Sequence, residues 1–238
     1  MEKTETDQKR GSYHHGDLRA QLIEATRRLV ESKGPDHFSV SEACREAGVS
    51  TAAPYKHFKN KGEMLREVAK GGMQRQHSQM MAELEPHPPG SIDRIVALGR
   101  VYTRFAAAEP VVFRLMFWLS EDHDEHEELV QMGDQIFSDV LKEVAKCFDR
   151  DEVTESDVNK AFLLWSFVHG LSFLQIDGKL TKTDMVIDHE KVLAEIALRV
   201  MIEPGSYSRL SGIFCSAAVF ARRKNSVTKV DTITMNSE

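Results

Sequence analysis

The chain has no continuous apolar run of the roughly eighteen or more residues that a membrane-spanning helix needs, and Met1 to Arg10 are polar and charged with no apolar leader core. A soluble, cytoplasmic protein without a membrane partner is the expectation. Cysteine is scarce: Cys44, Cys147 and Cys215 are far apart, odd in number and lack the paired spacing of a zinc site or redox motif. They read as reduced structural thiols. No Gly-rich phosphate cradle, activated-serine elbow or His-Glu metalloprotease pattern occurs. With no paired catalytic constellation, the chain is not expected to be an enzyme, to carry a cofactor or to bind a metal. The dense acidic and histidine run Glu121 to Glu128 reads as a solvated loop between helices. Alternating apolar-polar stretches long enough to argue for a sheet are missing as well.

The charge present is unevenly placed. The net charge is -6, yet the first 70 residues hold 13 Lys plus Arg against 11 Asp plus Glu, so a head of +2 precedes a remainder of -8. Such a split permits a DNA-facing head on an acidic body.

Pro and Gly punctuate the chain at helix-like intervals. Leu18, Leu22, Ala25, Thr26 and Leu29 form one apolar stripe, preceded by Asp17 as N-cap and stopped by Gly34-Pro35. Ser39-Val40-Ser41-Glu42 is a capping-box pattern with Phe38 as its apolar staple, and it starts a short helix running to about Ala47. Gly48 ends that helix and Ser50 caps a third one. Counted from Ser50, Pro54 is the fourth helical residue, so the third helix is expected to survive it. Two short helices joined by so tight a turn make a helix-turn-helix. Asn60-Lys61-Gly62-Glu63 repeats the cap and begins a fourth helix, with the head closing near residue 75.

Beyond the corner at Pro86 to Gly90, apolar periodicity predicts helices through Ile95 to Ala106, Val112 to Phe117, Leu129 to Phe148, Val158 to Ser172 and Val186 to Val200. The fold class is therefore all-α with about nine helices: a three-helix head over residues 13–75, a larger helical body over 76–203, and a tail over 204–238. Ile213 to Ala221 is apolar enough to form one docked helix in the tail. The remainder reads as disordered, with Arg222, Arg223 and Lys224 leaving a basic DNA or partner arm open.

The turn region carries the chemistry. Ala43, Gly48 and Val49 let two helices cross closely and leave Ser50 to His57 facing outward. Ser50, Thr51 and Ala52 are short enough for backbone amides at a helix N-terminus to approach a phosphate, while Thr51 can reach a base edge. Thr51, Ala52 and Lys56 are the candidates for reading sequence; Ser39, Ser41, Tyr55, His57 and Lys61 are candidates for the backbone, with Pro54 inside the same segment. Phe58 reads as a core plug, and Tyr55 as either core or phosphate contact.

These residues, Phe38-Ser39-Val40 through Ala47-Gly48-Val49-Ser50 and Ala53-Pro54-Tyr55-Lys56-His57-Phe58-Lys59-Asn60-Lys61, resemble the TetR family of regulators. Tyr13 to Arg19 is similar to the lead-in of one branch. Trp165, His169 and Gly170 resemble a Trp-His-Gly signature in a C-terminal domain paired with such heads. Ala53 and Pro54 depart from the Gly-plus-aliphatic pair common in that family's recognition helix, which leaves base preference open.

The resemblance implies an all-helical homodimer with heads on double-stranded operator DNA, an effector pocket in the body and the last two body helices forming a four-helix interface. It also implies residues 39 to 58 as the DNA-binding segment and Lys61 as a phosphate clamp. The expected function is a ligand-responsive repressor on a palindromic operator. An activator, or a helical small-molecule binder without DNA affinity, are the alternatives. Candidate ligand contacts are Tyr102, Phe105, Phe117, Trp118, Phe137, Trp165 and His169, each open to a plain core role.

Overall fold

The computed structural model describes residues 18–120, 127–180 and 187–202. The readings of Asp17 and the Tyr13 lead-in, Glu121 to His126, Val186, Cys215 and the tail helix fall outside them. Helix α1 (Leu18–Lys33) buries Leu22, Ala25, Thr26, Leu29 and Val30, the stripe its sequence spaces for one face. Gly34 ends it at φ +88°, donating its N–H to the Val30 carbonyl at 2.8 Å. In α2 (Val40–Glu46) the Ser39 hydroxyl accepts from Glu42 N at 3.2 Å, and the Glu42 carboxylate accepts from Ser39 N at 2.9 Å. The expected capping box is therefore complete, and Gly48 follows α2 at φ +68°.

The expected third α-helix does not form as one. Residues 50–53 make a single turn, Ala53 N to Ser50 O at 3.0 Å, followed by a 3-10 turn over Pro54–Lys56. Pro54 has no N–H to give the Ser50 carbonyl and its ring crowds that carbonyl, so the segment closes by three-residue steps instead. The position of Pro54 within the first turn therefore does not spare the helix, because the ring acts sterically as well as through the missing donor.

Helix α3 (Lys61–Leu84) starts at Asn60, whose side chain accepts from Glu63 N at 2.9 Å, and continues well past residue 75. Gly72 is held in mid-helix where Val112 and Met116 lie close. A Cβ on Gly72 would meet Val112 Cγ1 at 2.7 Å and Met116 Sδ at 2.9 Å. After the Pro86–Gly90 corner come α4 (Ile92–Ala108), α5 (Pro110–Ser120), α6 (Glu127–Lys146), α7 (Glu155–Ile176) and α8 (His189–Val200). The described residues thus hold eight α-helices, one 3-10 turn and no strand, an all-α fold close to the nine helices expected.

Helix α4 lies centrally, packed by α3, α7 and α8 and flanked by α5 and α6. One core runs without a break from Leu22, Phe38 and Phe58 through Met64 and Val68 to Phe105, Phe113, Met116 and Leu171. Each such fully buried side chain contributes roughly 1.5–3 kcal/mol. A second compact unit begins at Met201, and only its first two residues are described.

Candidate functional site

In the head, Ser39, Ser41, Ser50, Thr51, Ala52, Tyr55 and Lys56 are exposed, His57 is half-buried and Pro54 is buried. Tyr55 is 68% exposed while Phe58 is 3% exposed. Within one short stretch the chain therefore turns Phe58 into the core and holds the Tyr55 phenol out. Ser39 spends its hydroxyl on the cap of α2. Lys61 Nζ donates to the carbonyls of Phe38 at 2.9 Å and Asp36 at 3.2 Å, and stands 4.4 Å from the Phe38 ring centroid. Lys61 thus pins the loop before α2 to the start of α3. The spacing of the lysines did not single out Arg45, an exposed cation on α2 whose side chain is 79% accessible.

The body contains a cavity of about 370 Å³, lined by Met73, Gln76 and Met80 from α3, by Tyr102 and neighbours from α4, and by residues of α5 to α8. Tyr102, Phe117, Phe137 and Trp165 line it. The other three ligand candidates are not among its lining: Phe105 is 1% exposed in the solid core, Trp118 is 60% exposed, and His169 stands one layer back. Trp165 Nε1 donates to the Tyr102 oxygen at 3.2 Å, and the Tyr102 hydroxyl and His169 Nδ1 share a hydrogen bond at 2.8 Å. Burial lowers the pKa of His169, favouring the neutral ring. The same burial pushes the Tyr102 hydroxyl well above its ordinary range. His169 also packs against Phe117 and Phe173 at centroid distances of 4.7 and 4.8 Å.

Sequence reasoning missed Gln76 and Asp134, both in the cavity wall. A helical glutamine or aspartate normally signals a solvent face. Only the side of α3 shared with the apolar stripe could have flagged Gln76, three residues after Met73 and four before Met80.

A polar seam joins α1 to the corner between α4 and α5. The Glu31 carboxylate accepts from Val112 N at 2.6 Å and Val111 N at 3.3 Å, serving as an anionic cap for α5. Burial nonetheless raises its pKa, the two backbone donors opposing only in part. Beside it, Glu109 accepts from Arg75 of α3 at 2.5 Å and Arg27 of α1 at 3.4 Å. The two thiols among the described residues are poor nucleophiles: burial pushes Cys147 up to about 11 and raises buried Cys44 also.

A short helix-turn-helix segment on an all-helical body with a partly open cavity between its helices is the arrangement of a DNA-binding regulator. The family model for bacterial regulatory proteins of the tetR family matches residues 22–68, and that for the tetracyclin repressor-like C-terminal domain matches 95–201, together well over half of the chain. The chain belongs to the TetR family and is a DNA-binding transcriptional regulator. It is 38% identical over 69 residues to an uncharacterized HTH-type transcriptional regulator of Haemophilus influenzae, a match covering 29% of this chain and 35% of that protein. The aligned stretch thus spans about a third of that relative. A Rhodococcus sp. RHA1 protein of unknown function superposes with TM-score 0.68 at 26% identity, over 79% of this chain and 96% of that one. A TetR/AcrR family regulator from Thermobifida fusca YX-ER1 gives 0.56 at 18%, over 79% and 98%, a likeness of fold. Among the described residues no helix is long and apolar enough to cross a membrane.

Proposed function

We propose that this regulator is a cytoplasmic, non-enzymatic homodimer that represses from a palindromic operator and releases it when a small molecule enters the body cavity. The division into a head over 13–75, an effector and dimerisation body over 76–203 and a tail from 204 is part of that reading. Its main support is α3, which begins at the capped Asn60 beside the helix-turn-helix and carries Met73, Gln76 and Met80 into the cavity wall 24 residues long. A ligand pressing on that wall acts on the element that positions the head. The repressor sign follows the tetracyclin repressor-like match, and transcript levels of neighbouring genes in a deletion strain read it. The dimer reading rests on α7 and α8, where Leu163, Leu174 and Leu198 are each about half exposed.

On DNA, two heads must reach successive major grooves about 34–36 Å apart. Thr51, Ala52 and Lys56 face base edges in this reading, while Ser39, Ser41, Ser50, Tyr55, His57 and Lys61 hold the backbone around Pro54. The test is binding to the duplex upstream of the protein's own gene against an unrelated duplex, across a salt series. Tight binding to the first alone is expected, with the salt slope falling by about one unit in Lys61→Ala and the preference between the two duplexes falling in Lys56→Ala. Equal, weak binding to both would remove the operator reading for that DNA.

The Glu31 cap supplies a second test. Phe117 on α5 lines the cavity, and α5 hangs from α1 through Glu31. Glu31→Ala is expected to reduce the effector-induced change in operator affinity by about 0.5–2 kcal/mol, roughly 2- to 30-fold. Operator Kd measured with and without effector gives the ratio, and an unchanged ratio in a folded variant sinks this route.

A further inference from the structure

The cavity wall is almost wholly apolar, and its polarity is specific. Among the described residues Asp134 is the only charged side chain lining it, and no Lys, Arg or His does so. Asp134 is exposed, on α6. Gln76 is its opposite: 3% exposed on α3, with Nε2 buried and without a hydrogen-bond partner. A buried amide donor left unmade costs about 1–3 kcal/mol, so a fold that keeps one on a cavity wall gains by receiving an acceptor there. Rotation about the terminal bond lets the amide offer its donor or its acceptor to a guest. The volume, about 370 Å³, falls at the lower end of the roughly 300–1,000 Å³ usual for small-molecule sites.

We propose that the cavity takes a compact, predominantly apolar molecule, neutral or singly cationic, whose hydrogen-bond acceptor is held by the Gln76 amide and whose positive charge, when it has one, faces Asp134. This rests on the ligand-responsive reading above and narrows it. Carboxylates are rejected because a buried anion here meets no cation and one carboxylate of its own sign. Apolar contact with Met80, Leu98, Val168 and Leu193 supplies most of the affinity, and the amide supplies the orientation.

The test uses the full-length protein and N-phenyl-1-naphthylamine, a neutral dye that brightens in apolar surroundings, displaced by decanamide, decyltrimethylammonium or decanoate at neutral pH. Decanamide and the cation are expected to displace the dye at concentrations at least tenfold below decanoate. Gln76→Leu is expected to weaken decanamide about tenfold while leaving the dye in place, and Asp134→Asn to weaken the cation severalfold while sparing decanamide. Gln76→Leu replaces an unpaired amide by an apolar group and is expected to fold; Gln76→Met repeats the test with an unbranched chain. Decanoate competing as well as decanamide, or both variants leaving their competitors unmoved while the dye still binds, overturns the assignment of ligand class. Failure of the folded wild-type protein to bind the dye or any competitor overturns instead the effector-cavity reading on which it rests.

Discussion

Replacing Gly170 by leucine is expected to leave the monomer folded while abolishing the dimer and weakening operator binding more than a hundredfold. Gly170 sits inside α7, where glycine costs a helix about 0.8–1 kcal/mol relative to alanine. Nothing in the protomer requires it: a Cβ built there meets no atom within 4 Å. It lies instead on one stripe with Leu163, Ser166 and Leu174, at helical spacings of three, seven and eleven residues, all of them exposed. A small residue flanked by two leucines is what a closely approaching partner helix needs. In a two-fold interface every substitution acts twice, so two new isobutyl groups would meet near the axis. Overpacking of that kind costs about 1–3 kcal/mol per site even where neighbours can adjust. Once the subunits separate, each head binds its half-site alone and the gain of about 10²–10⁴ from linkage is lost. Light scattering behind a sizing column reads the mass, and thermal unfolding checks the monomer. A Gly170→Leu protein that stays dimeric at low concentration and still holds its operator would place the interface elsewhere.

What was legible beforehand depended on whether a signal was local. The caps at Ser39–Glu42 and Asn60–Glu63 are satisfied by atoms within four residues of each other, so sequence alone located both helix starts. Gly34, Gly48 and Gly90 were legible for the same reason, since positive φ is a property of the residue. Pro54 was misjudged because its ring acts on the Ser50 carbonyl as well as on the hydrogen-bond count, and Ser50 to Lys56 winds as turns.

Legibility failed where the answer lay between elements. Periodicity said that Phe105 and Phe117 face inward, and both do, but not that one meets a filled core and the other a cavity. Trp118 follows Phe117 on α5 and is turned outward, about 100° further around the helix. His169, open to either a ligand or a core role, stands behind the cavity wall with its Nδ1 hydrogen-bonded to the Tyr102 hydroxyl. Gln76 and Glu31 escaped because a polar residue on a helix is read as solvated until a distant element, here α6 to α8 or the start of α5, is placed over it.

The second large effect is expected at Asp157, which has no exposed side-chain surface and lies in the first turn of α7, the helix proposed to form the dimer. Its carboxylate accepts from Thr154 N at 2.9 Å, from the Thr154 hydroxyl at 2.7 Å and from Arg150 Nη1 at 2.6 Å. Asp157→Ala removes the capping box and the carboxylate that the exposed Thr154 and partly exposed Arg150 donate to, at a cost of about 1–2 kcal/mol. For a chain of this size that lowers Tm by roughly 2–8 °C. Asp157→Asn keeps the shape and one acceptor and is expected to lose less. The pH dependence has a definite sign. Burial raises the pKa of this carboxyl, but the Thr154 and Arg150 donors outweigh burial and hold it below its ordinary value. A carboxylate depressed in the native state adds stability that is complete above its unfolded pKa of about 3.9 and is lost as pH falls through the lower native one. The difference in stability between wild type and Asp157→Asn should therefore stay constant from neutral pH to about 5 and close below about 4, measured by urea unfolding. A difference that persists unchanged to the acid limit would mean that packing, not the charge, fixes the start of α7. In that case the face carrying Leu163 and Gly170 is held by the helix's own burial against α4, and the dimer should withstand acid as well as the monomer does.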